Sequence, residues 1–306
     1  MGADFLMRYH LNTPAVTSSL CAVVFSFSLF SQTSFATAEL LPHRAVYELS
    51  LIASDHDSGI QSASGLFVFQ VTGSSCAGWS MNSSMVLSVT GRTGNVLRTE
   101  TDYRAFEASA GDIFTYESNT HTTGEAPKIV TGAAQRTDSG GLSMRRLSEE
   151  EQTASAAEGT LFPNQLTVSV LQAAEAGETL FFGSVFDGSH TEGQAQAVTA
   201  VIGEQIHPSL VAPIRAQSRL DVDDQAAQLR EDGLELWEDF DRPDTAWPVL
   251  LSYFDPLEPD SLPSFQVAYT LDTNGVSDDV QLHYSSFSLG GVLSDFTPFR
   301  PSVCVE

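Results

Sequence analysis

Asp187, Ser189 and His190 stand within four positions in Asp187-Gly188-Ser189-His190, and these are the residue types of a hydrolytic relay. A relay brings acid, base and nucleophile together from distant chain positions, so three neighbours on one short stretch read as a turn instead. Asp55-His56-Asp57-Ser58-Gly59 has the Asp-x-Asp start of a calcium loop. Its glycine falls one position early and no acidic residue closes it, so this too reads as a turn. The other histidines after the N-terminal region, His43, His56, His121, His207 and His283, are scattered without the spacing of metal ligands. Zincin, P-loop, nucleophile-elbow and EF-hand patterns are absent from the sequence. These residues predict no catalytic group, no metal site and no cofactor. A hydrolase whose site assembles only in the fold is the remaining enzymatic alternative.

The cysteines point to a compartment. Arg8 and His10 precede an apolar run, Leu20 to Phe30, which leads to Phe35-Ala36-Thr37-Ala38 with small residues at the two cleavage-determining positions. A membrane span needs roughly 20 apolar residues, and Ser31 and Gln32 follow this run at once. The expectation is a signal peptide over 1–38 and a mature chain beginning near Glu39. Cys21 falls inside that leader, which leaves Cys76 and Cys304. An isolated pair in an exported chain reads as a disulfide, two unrelated thiols being the alternative. Closing so long a loop stabilises by on the order of 5 kcal/mol in the chain-entropy account.

The 306 residues carry a net charge of −25, with 39 acidic against 14 basic residues, and Lys128 is the only lysine. Such a field excludes the basic footprint that nucleic acid requires and disfavours anionic lipid head groups. It reads as a surface adapted for solubility.

The elements that would position any site are strands. Ala45, Tyr47, Leu49 and Leu51 alternate along His43 to Ile52, and Trp79, Met81, Met85, Leu87 and Val89 alternate against Ser80, Asn82, Ser84 and Ser88. Further strands are expected at 65–71, 94–104, 112–119, 127–135, 140–147, 178–186, 194–202, 213–222, 247–254, 265–272 and 280–289. Residues 148–157 are polar and acidic without an apolar face and read as a solvated loop. One helix stands out, from Asn164 to Glu178, with Leu166, Val170, Ala173 and Ala174 on one stripe and Gly177 placed to stop it. Residues 223–244 are strongly acidic, with Trp237 and Phe240 embedded, and read as a solvated insertion. The count is about fourteen strands and one helix, in a single mainly β domain over 39–306. An outer-membrane barrel fits poorly, because the outward faces carry Ser, Asn, Gln and Arg where lipid demands an apolar band.

With these residues in view, the chain resembles the EipB family of periplasmic cell-envelope-integrity proteins of alphaproteobacteria. The resemblance runs from about Leu41 to Cys304 and rests on an ordered set of fragments. They are Pro42-His43-Arg44-Ala45-Val46-Tyr47, Cys76-Ala77-Gly78-Trp79, Leu161-Phe162-Pro163, Ala173 to Gly177 and Val185-Phe186-Asp187-Gly188-Ser189, then Trp247-Pro248-Val249, Tyr253-Phe254, Pro263, Asn274-Gly275-Val276, Tyr284 and Cys304. The resemblance implies a β-spiral, one long antiparallel sheet curled into an incomplete barrel, with Cys76 and Cys304 as its disulfide. It also implies a periplasmic, non-enzymatic role in envelope integrity, without a cofactor. A curled, unclosed sheet leaves a concave face and an edge, which suit a protein, lipid or lipoprotein partner. Phe69, Trp79, Met81 and Met85 are the candidates for an apolar binding face, ordinary core packing being the plain alternative for each. The helix is expected to plug the curl.

Overall fold

The computed structural model describes residues 39–148, 151–189, 193–207, 234–258, 262–302 and 304. The expected signal peptide over 1–38, the strand at 213–222 and residues 223–233 of the acidic stretch lie outside them.

Alternation of apolar and polar residues makes the first strands. They are β1 (His43–Ser54), β2 (Ile60–Ser74), β3 (Gly78–Gly91), β4 (Val96–Glu107), β5 (Ile113–Thr122), β6 (Lys128–Arg136), β7 (Leu142–Leu147) and β8 (Glu151–Ala156). Helix α1 (Pro163–Glu175) follows, then β9 (Leu180–Val185), β10 (Gln196–Ile202), β11 (Ala246–Phe254), β12 (Phe265–Asp272), β13 (Ser277–His283) and β14 (Phe287–Pro298). A short 3-10 turn, His56–Ser58, links β1 to β2 where the Asp-x-Asp stretch stands.

All of these strands form one antiparallel sheet in the order β8-β7-β6-β5-β4-β3-β2-β1-β14-β13-β12-β11-β10-β9. The sheet is not closed into a barrel, because its edge strands β8 and β9 do not pair. The segment between β8 and α1 meets β9 where Leu161 bridges Val185, its amide reaching the Ser184 carbonyl at 2.8 Å and its carbonyl receiving the Phe186 amide at 2.9 Å. Beyond that bridge Phe186 and Asp187 lie on the inner face of β4 and β5. Phe186 sets its edge against Phe114 and Tyr116, and the Tyr103 hydroxyl donates to the Asp187 carbonyl at 2.7 Å. Gly132 and Gly188 flank Tyr116 so closely that a Cβ at either would collide with its ring.

Two strand expectations change. Residues 151–156 form edge strand β8, not a loop, pairing through Ser143–Ser155 and Met144–Ala154. As an edge strand of small and polar residues it needs no apolar stripe of its own. The single strand expected over 280–289 is two, with a turn at 284–286 closed by the Tyr284 amide on the Phe287 carbonyl. Apolar residues on both sides of Ser285-Ser286 hide that break.

The helix fills the curl. Leu166, Val170, Leu171, Ala173 and Ala174 are buried in one cluster with Trp79, Met81, Phe114, Met144, Val198, Leu251 and Leu271. A sheet wound this widely leaves a centre its own side chains do not reach, and α1 occupies it. The helix stops where Gly177, at φ +75°, sends its amide to the Ala174 carbonyl while Glu178 bonds the Ala173 carbonyl. At its start the Gln165 side chain takes the Phe162 amide at 3.0 Å, but the N-cap side chain, that of Phe162, has no acceptor to offer the next turn. That acceptor comes from β4, whose Glu107 Oε2 takes the Asn164 amide at 3.0 Å. A second core, around Ala45, Tyr47, Leu49, Leu87, Leu289 and Leu293, lies where β1 meets β2, β3 and β14.

The described part of the acidic stretch is anchored. The Trp237 amide bonds the Pro298 carbonyl, the Arg300 amide bonds the Glu235 carbonyl, and Phe240 leans on Phe296. Arg242 then reaches the Asp272 and Asp278 carboxylates at 3.2 and 2.9 Å. No helix among the described residues is long and apolar enough to cross a membrane.

Candidate functional site

The space that α1 leaves unfilled is a cavity of about 230 Å³. Its walls come from β2 (Phe69), β3 (Met81), α1 (Asn164, Leu166, Thr167), β9 and its turn (Val185, Asp187), β11 (Leu251, Tyr253) and β12 (Val267, Tyr269). The strand walls follow from alternation, since Phe69, Met81, Val185, Leu251, Tyr253, Val267 and Tyr269 are inward positions of their strands. Phe69, Tyr253, Val267 and Tyr269 are only partly buried although they belong to the inner face, whereas Met81, Leu166 and Leu251 are fully packed. Burial pushes the Tyr253 and Tyr269 hydroxyls well above the usual phenol range, and the Asp187 carboxylate adds to this at Tyr253.

The four candidate residues thus divide. Phe69 and Met81 meet in this cavity. Trp79 lines a separate recess of about 510 Å³, and Met85 packs against the second core, beside β1 and β14. Tyr253, Tyr269, Asp187 and Leu251 complete the cavity and come from the other half of the chain. The alternation of Phe265, Val267, Tyr269 and Leu271 marks half of that wall in the sequence, but nothing local says that it faces Phe69.

The Trp79 recess runs along the start of α1 and is lined by two ionisable groups, Glu107 and Arg136. Glu107 is 3% exposed, and burial raises its carboxyl to about 7 against the pull of the Asn164 and Gln165 hydrogen bonds and of Arg136. Arg136 spends its donors on the Gly111, Gly140 and Thr160 carbonyls and the Gln165 amide oxygen, over the Phe162 ring. A carboxyl near 7 in a cleft is what a general acid or base needs. Here both groups hold the start of the helix, and no hydroxyl or imidazole bonds to the Glu107 carboxylate among the described residues.

A hydrolase needs a nucleophile and base in contact. Among the described residues one hydroxyl meets an imidazole, His283 Nδ1 to Ser288 Oγ at 3.0 Å, on the β13–β14 ladder. Among the described residues no carboxylate bonds that ring, and the pair lines neither of these hollows. Asp187 Oδ1 instead takes the Ser189 amide at 2.8 Å, which closes the turn expected there; His190 lies outside the described residues. No group of three or more His, Cys, Asp or Glu among the described residues is arranged to hold a metal ion.

Cys76, at the β2–β3 turn, is bonded to Cys304 beyond β14, with the Cα atoms 5.8 Å apart across 228 positions. It joins the turn beside one end of β1 to the chain that follows the strand paired with β1.

A single antiparallel sheet curled about one helix, unclosed at its edges and hollow beside the helix, defines an open β-barrel-like class with no assembled catalytic group among the described residues. The chain belongs to the EipB-like family, whose profile matches residues 34–300. It is similar to the cell envelope integrity protein EipB of Brucella abortus (strain 2308), 29% identical over 275 residues, covering 89% of this chain and 90% of that protein. A crystal structure of a β-barrel-like protein with a domain of unknown function, DUF1849, also from Brucella abortus, superposes with a TM-score of 0.68 at 28% identity. That match covers 84% of this chain and 97% of the other.

Proposed function

We propose that this protein is exported to the periplasm and, without catalysing a reaction, helps maintain the cell envelope by binding a partner on the concave face of its spiral. The observation that carries the reading is the hollow beside α1, where Phe69, Tyr253, Val267 and Tyr269 of the inner face are not fully packed. Natural cores are filled to near crystal density, so a hollow retained between a helix and a sheet suits a ligand. Membership of a family with an envelope-integrity relative supports the role, and the joined Cys76 and Cys304 suit an oxidising compartment. The volume argues for a small ligand, a short chain or the end of a lipid or lipoprotein. At about 230 Å³ it falls below the roughly 300–1,000 Å³ of drug-sized pockets.

Three measurements test this. Deleting the gene in its host should sensitise cells to bile salts and chelators, with rescue by the full chain but not by a leaderless one. Intact-mass analysis of the periplasmic fraction should find a chain starting near Glu39, and material co-purified from the periplasm should include the ligand. Unchanged sensitivity on deletion would refute the envelope role.

A further inference from the structure

The described lining of the cavity beside α1 is uneven in charge. Among the described residues lining it none is Lys, Arg or His, and one, Asp187, is acidic. The start of the helix contributes Pro163 and Asn164 to the wall, and a helix start ordinarily attracts anions. That attraction is already spent, because the Asn164 amide is donated to the Glu107 carboxyl. Among the described residues an anionic head would therefore meet a carboxylate and no positive counterpart in the lining.

A cation meets the reverse. Phe69, Tyr253 and Tyr269 place three aromatic rings around the hollow, and ring faces attract ammonium groups. Asp187 supplies the counter-charge. Of its carboxylate only Oδ1 is engaged, by the Ser189 amide, and it makes no ion pair among the described residues. Its field reaches Tyr103 and Tyr253, adding to the effect of burial on both hydroxyls. Arg146, the other charged group felt by Tyr116, is turned to Ser148 and Gln152 and does not line the cavity. Met81, Leu251 and Val267 leave apolar wall for an alkyl substituent. The net charge of −25 also concentrates cations at the molecule before any specific contact.

We propose that this cavity binds an organic ammonium ion carrying a short alkyl group, with the charged head among Phe69, Tyr253 and Tyr269 and Asp187 as its counter-ion. This rests on reading the hollow as a ligand site, and the test separates the two ideas. Hexyltrimethylammonium, 1-hexanol and hexanoate share a tail and differ in the charge of the head. Calorimetric titration of the purified, disulfide-intact chain at about 0.15 M salt, where surface charge is largely screened, compares them directly. The expected result is one hexyltrimethylammonium site at least about tenfold tighter than hexanol, with no hexanoate binding. Asp187→Asn keeps the acceptor for Ser189 and should weaken the cation about tenfold while leaving hexanol within about twofold. It removes one of 39 acidic residues, so diffuse surface association would barely change.

Tyr253→Phe keeps a ring and should preserve cation binding, whereas Tyr253→Leu should weaken it. Displacement by free choline would identify a soluble ammonium compound as the source, and displacement by phosphatidylcholine vesicles alone a lipid head group; either supports the assignment. Equal affinity for hexanol and the cation, or cation binding unaffected by Asp187→Asn, overturns the ammonium assignment and leaves an apolar ligand site. Binding of none of the three overturns the ligand site as well.

Discussion

Glu107 offers the sharpest test of how the helix is held. Its carboxyl is buried under the start of α1 and raised from 4.5 to about 7, burial outweighing the Asn164 and Gln165 amides and Arg136. In the folded chain it therefore binds a proton more tightly than in the unfolded one. Its contribution is undiminished below about pH 4.5 and falls as pH rises through 7, where the buried group must ionise. At about 1.4 kcal/mol per pH unit, that window corresponds to a loss of about 3 kcal/mol. Glu107→Gln keeps an oxygen for the Asn164 amide and removes the charge. Urea unfolding of both proteins with the disulfide intact should find the variant equal or slightly less stable at pH 5, and more stable by about 2–3 kcal/mol at pH 8.5. Other titrating groups, His43 among them, cancel in the difference. A stability difference that does not change with pH would refute the burial argument. A variant losing stability at pH 8.5 would show that attraction between the carboxylate and the helix start outweighs its desolvation.

Three further outcomes follow from the same structure. His43, bonded to the Leu41 carbonyl and lowered by burial from 6.5 to about 4, stays neutral when folded, so stability is lost as pH falls through that window. His43→Phe should flatten the acid side of the thermal-midpoint profile by about 3 kcal/mol. Arg242→Ala strips the counter-charge from Asp272, which is 0% exposed, and should cost about 3 kcal/mol in urea unfolding, whereas Arg242→Met with Asp272→Asn and Asp278→Asn should recover much of it. Replacing Cys76 and Cys304 by Ser should cost up to about 5 kcal/mol, read from denaturation midpoints, and should accelerate amide exchange at the Leu236–Phe299 bridge.

Much of the fold was legible because alternation is a local property. Trp79 to Val89 reads as β3, and Asn274-Gly275 marks the β12–β13 turn, as the ladder shows. Leu166, Val170 and Ala174 read as the buried stripe of the helix and are buried. Strand β8 was hidden because an edge strand of Ser, Thr and Ala has no stripe to display. The break at Ser285-Ser286 is marked only by a change of phase, since Val280, Leu282 and Tyr284 alternate on one parity and Phe287 and Leu289 on the other. The helix cap was beyond reach, since Phe162 offers no acceptor and Glu107 lies 57 positions away. The cavity was half visible: Phe69 and Met81 stand on adjacent strands, but Tyr253, Tyr269 and Asp187 join them only when the sheet curls.

The order of strands has a consequence for how the chain is assembled. Every neighbouring pair in the sheet is consecutive along the chain except β1 with β14, where His43 lies opposite Pro298. The molecule is thus two meanders with nearest-neighbour wiring, joined at one seam that waits for the last strand to be synthesised. Local pairings close cheaply and the seam does not, so loop-closure entropy concentrates at a single step. Because the ends of that seam lie side by side, a linker between them and a cut between β8 and α1 would rewire the sheet as one uninterrupted meander. The same tertiary structure would then be reached without a late long-range pairing.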